Sequence, residues 1–391
     1  APEDELPIEY GVVIIHVATN NLRIGPGLDT WTELFASTNE NPDLWYRLRP
    51  VTSGMRNSRV FIAALPPGTY SLRGIQSYNA HLAGGLGPLF VATTNYPVPQ
   101  GMDGPGSEWV SFGEEFGDFS VVGDRLTSLG SIVVQPVSQI PELGIGDSYS
   151  ALIARVAENL KLVEYLRDSF PKQFLDLNID EVLGWEQSAI STTHQEIGDF
   201  ASHVTAARDY QYLSDRTVVA TGPLGKFYWR DPETANWSTT SIGSVSEVMS
   251  VGETSNGYVL GAERGQIFSA DSLEGPWIEQ PGLSTQQFVY WWHHEPGIGM
   301  FALSRERGKI RFWKARTNLT DWEIIRTFEF NPYLSRDREE VKGVVSRNKT
   351  IVLLSQGERL EYQMSTGEIR SENSNSFPRL SVQPDGVMVA S

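Results

Sequence analysis

The sequence predicts a mainly β chain: an N-terminal β-sandwich, a short helical connector and a C-terminal β-propeller. Three observations carry this. Short apolar runs alternate with Gly- and Pro-rich turns through residues 1–137. A single stripe of helical period follows, within residues 138–200. Beyond residue 200 one phrase then recurs, as Gly225-Lys226-Phe227-Tyr228, Gly265-Gln266-Ile267-Phe268, Gly308-Lys309-Ile310-Arg311 and Gly357-Glu358-Arg359-Leu360. Its glycines lie 40, 43 and 49 residues apart, the period of a four-stranded propeller blade. About four and a half blades fit within residues 201–391, so the ring is incomplete over the stretch read here.

The sandwich segment opens with 11–17, which reads as a buried strand, and continues with a second strand at 60–65. Leu65-Pro66-Pro67-Gly68-Thr69-Tyr70-Ser71-Leu72-Arg73 then makes a tight turn and restarts strand alternation. Further strands are expected at 88–92, 119–122 and 129–136, with a long Gly/Pro-rich surface loop over 97–117. In the connector, Asp147 or Ser148 is placed to cap a helix. Tyr149, Leu152, Ile153, Val156, Leu160, Val163 and Leu166 would form one face of that helix. Pro171 ends it and opens a second helix that runs to Leu183.

Each blade parses into strands. The second blade would use 245–250, 257–261, 266–269 and 277–279. The third would use 287–293, 299–303, 309–313 and 322–325. A fifth set starts at 379–382 and 386–390. The chain that continues the ring would lie beyond Ser391, be supplied by 187–203, or come from a partner.

Composition limits the function. The net charge of −17 disfavours nucleic acid and anionic membrane surfaces. The absence of Cys removes disulfides, thiolate nucleophiles and Cys-ligated metals. No apolar run is long enough to span a bilayer, so direct membrane insertion is not expected. The start Ala1-Pro2-Glu3-Asp4-Glu5 fits a processed, exported bacterial protein, periplasmic or on the cell surface, and a lipid anchor removed from upstream of Ala1 fits equally. No cofactor or metal is expected, and no nucleophile motif or P-loop occurs.

Candidate binding residues fall in two groups. The hairpins between second and third strands carry Arg264, Arg305, Arg307 and Arg359. Clustered on one rim, they could grip an acidic group through bidentate hydrogen bonds, or each could pair with a neighbouring Glu. Tyr290-Trp291-Trp292-His293-His294 is the most unusual local composition. Trp291, Trp292 and His293 could stack a sugar or aromatic ligand, or pack between blades. Adjacent histidines on a strand point to opposite faces, which argues against joint metal binding.

Two resemblances follow from these motifs. The LPPGTYSLR phrase, with the final strand Leu129-Gly130-Ser131-Ile132-Val133-Val134, resembles transthyretin-like or carboxypeptidase-regulatory-like sandwiches, which implies a spacer or binding module. Residues 269–277, Ser-Ala-Asp-Ser-Leu-Glu-Gly-Pro-Trp, resemble the Asp-box turn of sialidase-like propellers. Residues 229–237 keep the Asp and the Trp, and 314–322 keep only the Trp. The resemblance implies structural roles for Asp231, Trp237, Asp271, Trp277 and Trp322. The function expected is a non-catalytic extracytoplasmic scaffold that binds a protein or glycan. The alternative is a carbohydrate-active enzyme of sialidase or glycosidase type.

Overall fold

The computed structural model describes residues 9–19, 31–51, 55–56, 58–78, 107–137, 150–156, 161–203, 207, 209–306, 308–315, 319–330, 341–346, 348–355, 358–373, 380–382 and 388–390. The strand expected at 88–92, residues 97–106 of the expected loop, and Arg307 lie outside them. The chain divides into two compact units. Unit 1 holds 1–208 with 222–226 and 243–248; unit 2 holds 209–221, 227–242 and 249–391.

Unit 1 is a β-sandwich. Its strands are β1 (Gly11–Thr19), β2 (Trp31–Thr38), β3 (Trp45–Val51), β4 (Arg59–Leu65), β5 (Gly68–Tyr78), β6 (Ser107–Ser111), β7 (Asp118–Val121) and β8 (Arg125–Val137). β1 lies between β4, antiparallel, and β8, parallel. β5 pairs with β2, β6 and β7. β3 pairs with β2 through its first half and with β4 through its end, so it joins the two layers. Alternation sends Val13, Ile15 and Val17 of β1 into one core with Leu34, Leu72 and Ile75 of the facing layer. β6 corrects the long loop expected over 97–117, since 107–111 pair with β5.

The LPPGTY phrase has a visible physical role. Tyr70 is fully buried, and its hydroxyl donates to the Pro66 carbonyl at 2.7 Å across the turn. Its ring stacks on Phe119 at 5.8 Å and meets the Tyr46 ring edge-on at 5.5 Å. Burial holds its phenol far above the usual range.

The connector contains helices as expected, but two strands replace much of their expected length. Residues Ser150–Val156 form β9, antiparallel to β8. Helix α1 covers only Leu162–Ser169. There Leu162, Tyr165 and Leu166, at i, i+3 and i+4, bury against Val12 and Ile14 on the outer face of β1. Pro171 opens α2 (Pro171–Leu175), as its fixed φ and missing N–H favour. The helix expected to run on to Leu183 gives way to β10 (Asn178–Leu183), which pairs with the start of β8. Residues 187–203 supply no blade strand: Thr192–His203 form helix α3. The Ser191 side chain accepts the His194 N–H at 3.2 Å at its start.

Unit 2 is a series of propeller-type blades, each a four-stranded antiparallel sheet in sequence order. Blade 1 is β11 (Asp209–Tyr212), β12 (Val218–Thr221), β13 (Lys226–Arg230) and β14 (Trp237–Ser241). Blade 2 is β15 (Val248–Glu253), β16 (Tyr258–Ala262), β17 (Ile267–Ala270) and β18 (Ile278–Gln280). Blade 3 is β19 (Phe288–Glu295), β20 (Gly299–Glu306), β21 (Lys309–Ala315) and β22 (Trp322–Glu329). Blade 4 is β23 (Lys342–Val345), β24 (Thr350–Ser355), β25 (Glu358–Gln363) and β26 (Ile369–Asn373). A further pair, β27 (Leu380–Val382) and β28 (Met388–Ala390), matches the expected fifth set. The inner strand of blade 2 starts three residues later than its apolar pattern suggests, because Val245 packs in unit 1 instead.

Blades 2 to 4 pack face to face through a recurring device at their first strands. Ser250 Oγ donates to the Val289 carbonyl at 2.6 Å. A Cβ at Gly252 would lie 2.4 Å from that of Trp292. One blade further on, Tyr290 donates to the Val341 carbonyl at 2.9 Å, and a Cβ at Gly343 would lie 2.7 Å from the Trp291 ring. Glycine thus makes room for an indole at each of these two interfaces.

Candidate functional site

The aromatic cluster of β19 is divided between neighbours. Trp292 points back at Gly252 of blade 2, and Trp291 points forward at Gly343 of blade 4. Alternation on a strand dictates that split, and it places the two indoles in packing rather than on a common platform. His293 shares a face with Trp291, their rings 6.3 Å apart. Burial lowers the His293 pKa, while Glu295, whose Oε2 lies 3.7 Å from Nε2, opposes the shift. Glu295 in turn pairs with Lys349 of blade 4 at 2.6 Å.

Among the described residues the arginine hairpins differ in burial. Glu263 and Arg264 are buried. Their hairpin lies under 283–287, where Gly265 donates to the Gln287 carbonyl at 2.5 Å and accepts from Leu283 N–H at 2.9 Å. Gly265 has φ +68, and a Cβ there would strike the Ser284 carbonyl at 2.4 Å. Arg305 is half-buried. Arg359 pairs with Glu361 at 2.5 Å, and the adjacent Glu306 pairs with Arg311.

The Asp-box-like residues also separate. Asp231 Oδ1 accepts the Glu233 and Thr234 backbone N–H groups at 2.7 and 2.9 Å. Those two bonds, Thr234 first, hold its carboxyl below the usual carboxylate range. Asp271 makes no such bond among the described residues; its turn closes instead through Ser272, whose carbonyl accepts from Gly275 N–H at 3.1 Å. Trp277 meets Phe227 of blade 1 edge-on at 5.6 Å, and Trp322 packs beside Trp292 at 6.0 Å. Trp237 stays 51% exposed, so it packs no neighbouring sheet in the way the other two do.

The surface that sequence reasoning missed lies on blade 1. Gln211 reaches blade 2, where its Oε1 accepts the Val251 N–H at 3.0 Å. Tyr210 and Tyr212, one residue to either side, therefore point to the opposite face. They are 63% and 60% exposed. Cross-strand pairing places Tyr210 beside Ala220 and Tyr228, and Tyr212 beside Val218. In blade 2 the corresponding strand, β15, is buried at every position but its last. The sequence signal was the alternation Asp209-Tyr210-Gln211-Tyr212, whose two tyrosines share a face only if the segment is a strand.

No family model matches the chain, and no curated protein matches it. Among solved structures, the computationally designed Ika8 protein aligns at 17% identity and TM-score 0.31, over 47% of this chain and 57% of that one. The Cps50 (Swd1) β-propeller domain of Myceliophteria thermophila aligns at 10% identity and TM-score 0.33, over 47% and 63%. The WD40 β-propeller domain of Doa1 aligns at 16% identity and TM-score 0.29, over 46% and 60%. The chain thus spans less than two thirds of each. Alignments this partial assign no family, and the architecture rests on the strand pairing above.

Proposed function

We propose that the protein is a non-catalytic binding scaffold whose blade 1 docks a partner protein. One observation carries this reading: the face of Tyr210 and Tyr212 is exposed, although the corresponding strand of blade 2 is almost wholly buried. Tyrosine supplies a large rigid contact surface and a polar tip at low entropic cost, and it is enriched at protein interfaces. An extracytoplasmic setting in a bacterium is part of the same proposal. The Asp231 turn supports an Asp-box ancestry for blade 1, and the Pro66–Tyr70 bond suits a transthyretin-like spacer in unit 1.

A photo-crosslinking residue placed at Tyr212 in the native host tests the docking surface. A discrete adduct is expected from Tyr212 and not from Ile278, which is equally exposed on the outer strand of blade 2. Equal labelling at both positions, or none at either, would remove the support for this face. Fractionation of the same cells tests the compartment.

A further inference from the structure

Blades 2 and 3 enclose a half-open cavity of about 280 Å³ at the end of the blades opposite the arginine hairpins. Antiparallel geometry puts there the turns that join strands one to two and three to four. The wall on blade 2 is built from two interlocked turns. A Cβ at Gly257 would lie 2.3 Å from the Ala270 carbonyl and 2.8 Å from Asp271 Cα, so only glycine lets the turns close on each other. Asp271, exposed to solvent, lines the cavity from this wall, and no hydrogen bond or ion pair to another described residue ties its carboxylate down. Gln280 is held in place beside it by a 2.9 Å bond from Nε2 to Ser269 Oγ. Asn256 and Tyr258 add further polar groups, and His294 faces them from blade 3. Buried Met300 and Leu319 supply an apolar patch.

We infer that this cavity is a binding site for a neutral, single-ring polyol such as a hexopyranose. The chemistry selects the class. Among the described residues the lining carries one carboxylate and no Lys or Arg, so an anionic sugar would meet negative charge there. A carboxylate accepts two hydroxyls at once, the amides donate and accept, and the apolar patch suits the C–H face of a ring. The volume sits at the small end of ligand pockets, which fits one ring and not an oligosaccharide. The site is independent of the docking face on blade 1.

The test titrates the full chain with glucose, galactose, mannose, N-acetylglucosamine and glucuronate, read by saturation-transfer NMR and calorimetry. At least one neutral sugar should saturate, and glucuronate should bind more weakly than glucose. Asp271→Ala should weaken the neutral sugar about 10-fold or more, as expected for loss of a charge-assisted acceptor. Asp231→Ala, the matching residue of blade 1, should leave affinity unchanged. His294→Ala, with an unaltered melting temperature, should weaken binding as well. Failure of every neutral sugar to saturate, equal binding of glucuronate, or full affinity in Asp271→Ala would overturn the assignment.

Discussion

Blades 1 and 2 share a strand plan but differ in what their first strand and outer turn do. The first strand of blade 2 is buried almost throughout, whereas that of blade 1 alternates between partly buried and exposed. The aspartate of the blade 1 turn binds its own backbone; that of blade 2 is exposed beside a cavity and bonds to no other described residue. The same repeat position can thus stabilise a turn or present a carboxylate. Backbone hydrogen bonds close both turns, Ala235 N–H to the Asp231 carbonyl at 2.9 Å in blade 1 and Gly275 N–H to the Ser272 carbonyl at 3.1 Å in blade 2, so the aspartate side chain is an added clasp only in blade 1.

The largest test removes an aromatic contact between the two blades. Phe227 is fully buried and meets Trp277 edge-on. Phe227→Ala should cost about 3–5 kcal/mol in denaturant unfolding, from lost burial and the cavity left behind. Next comes Ser250→Ala, which strips the buried Val289 carbonyl of its donor and should cost about 1–2 kcal/mol.

A smaller effect separates the two aspartates. The folded-state pKa of Asp231 is depressed, so its contribution is present above the unfolded value near 3.8 and is lost as pH falls through the folded value. Asp231→Ala should therefore lower the melting temperature slightly near neutrality and not at all in strong acid. Asp271→Ala should leave it unchanged across that range. A pH-independent loss in Asp231→Ala would show that the two backbone hydrogen bonds are not its source. The smallest stability effect belongs to the open face: Tyr210→Ser should shift stability by under about 0.5 kcal/mol while weakening the adduct formed by the crosslinking residue at position 212.

Much of the blade pattern was legible because it is local. Gly225, Gly265 and Gly308 sit at positive φ in tight hairpins, so the repeat that announced the blades has a backbone cause. The Pro66–Tyr70 turn was legible for the same reason. Residues 150–156 were not. Leu152, Ile153 and Val156 fit a helical stripe as well as a short strand, and the long edge of β8 decided for the strand. A turn's charge does not reveal its burial: Arg264 lies under a segment about twenty residues further along the chain.

Residue chemistry at short range was enough to specify strands, turns and a repeating blade, since glycine φ, proline φ and side-chain alternation act within a few residues. Which faces ended up covered was settled by contacts between segments distant in sequence. Tyr212 is exposed while Trp292 is buried because, among the described residues, only Trp292 meets a neighbouring sheet on its face, and no local pattern encodes a neighbour.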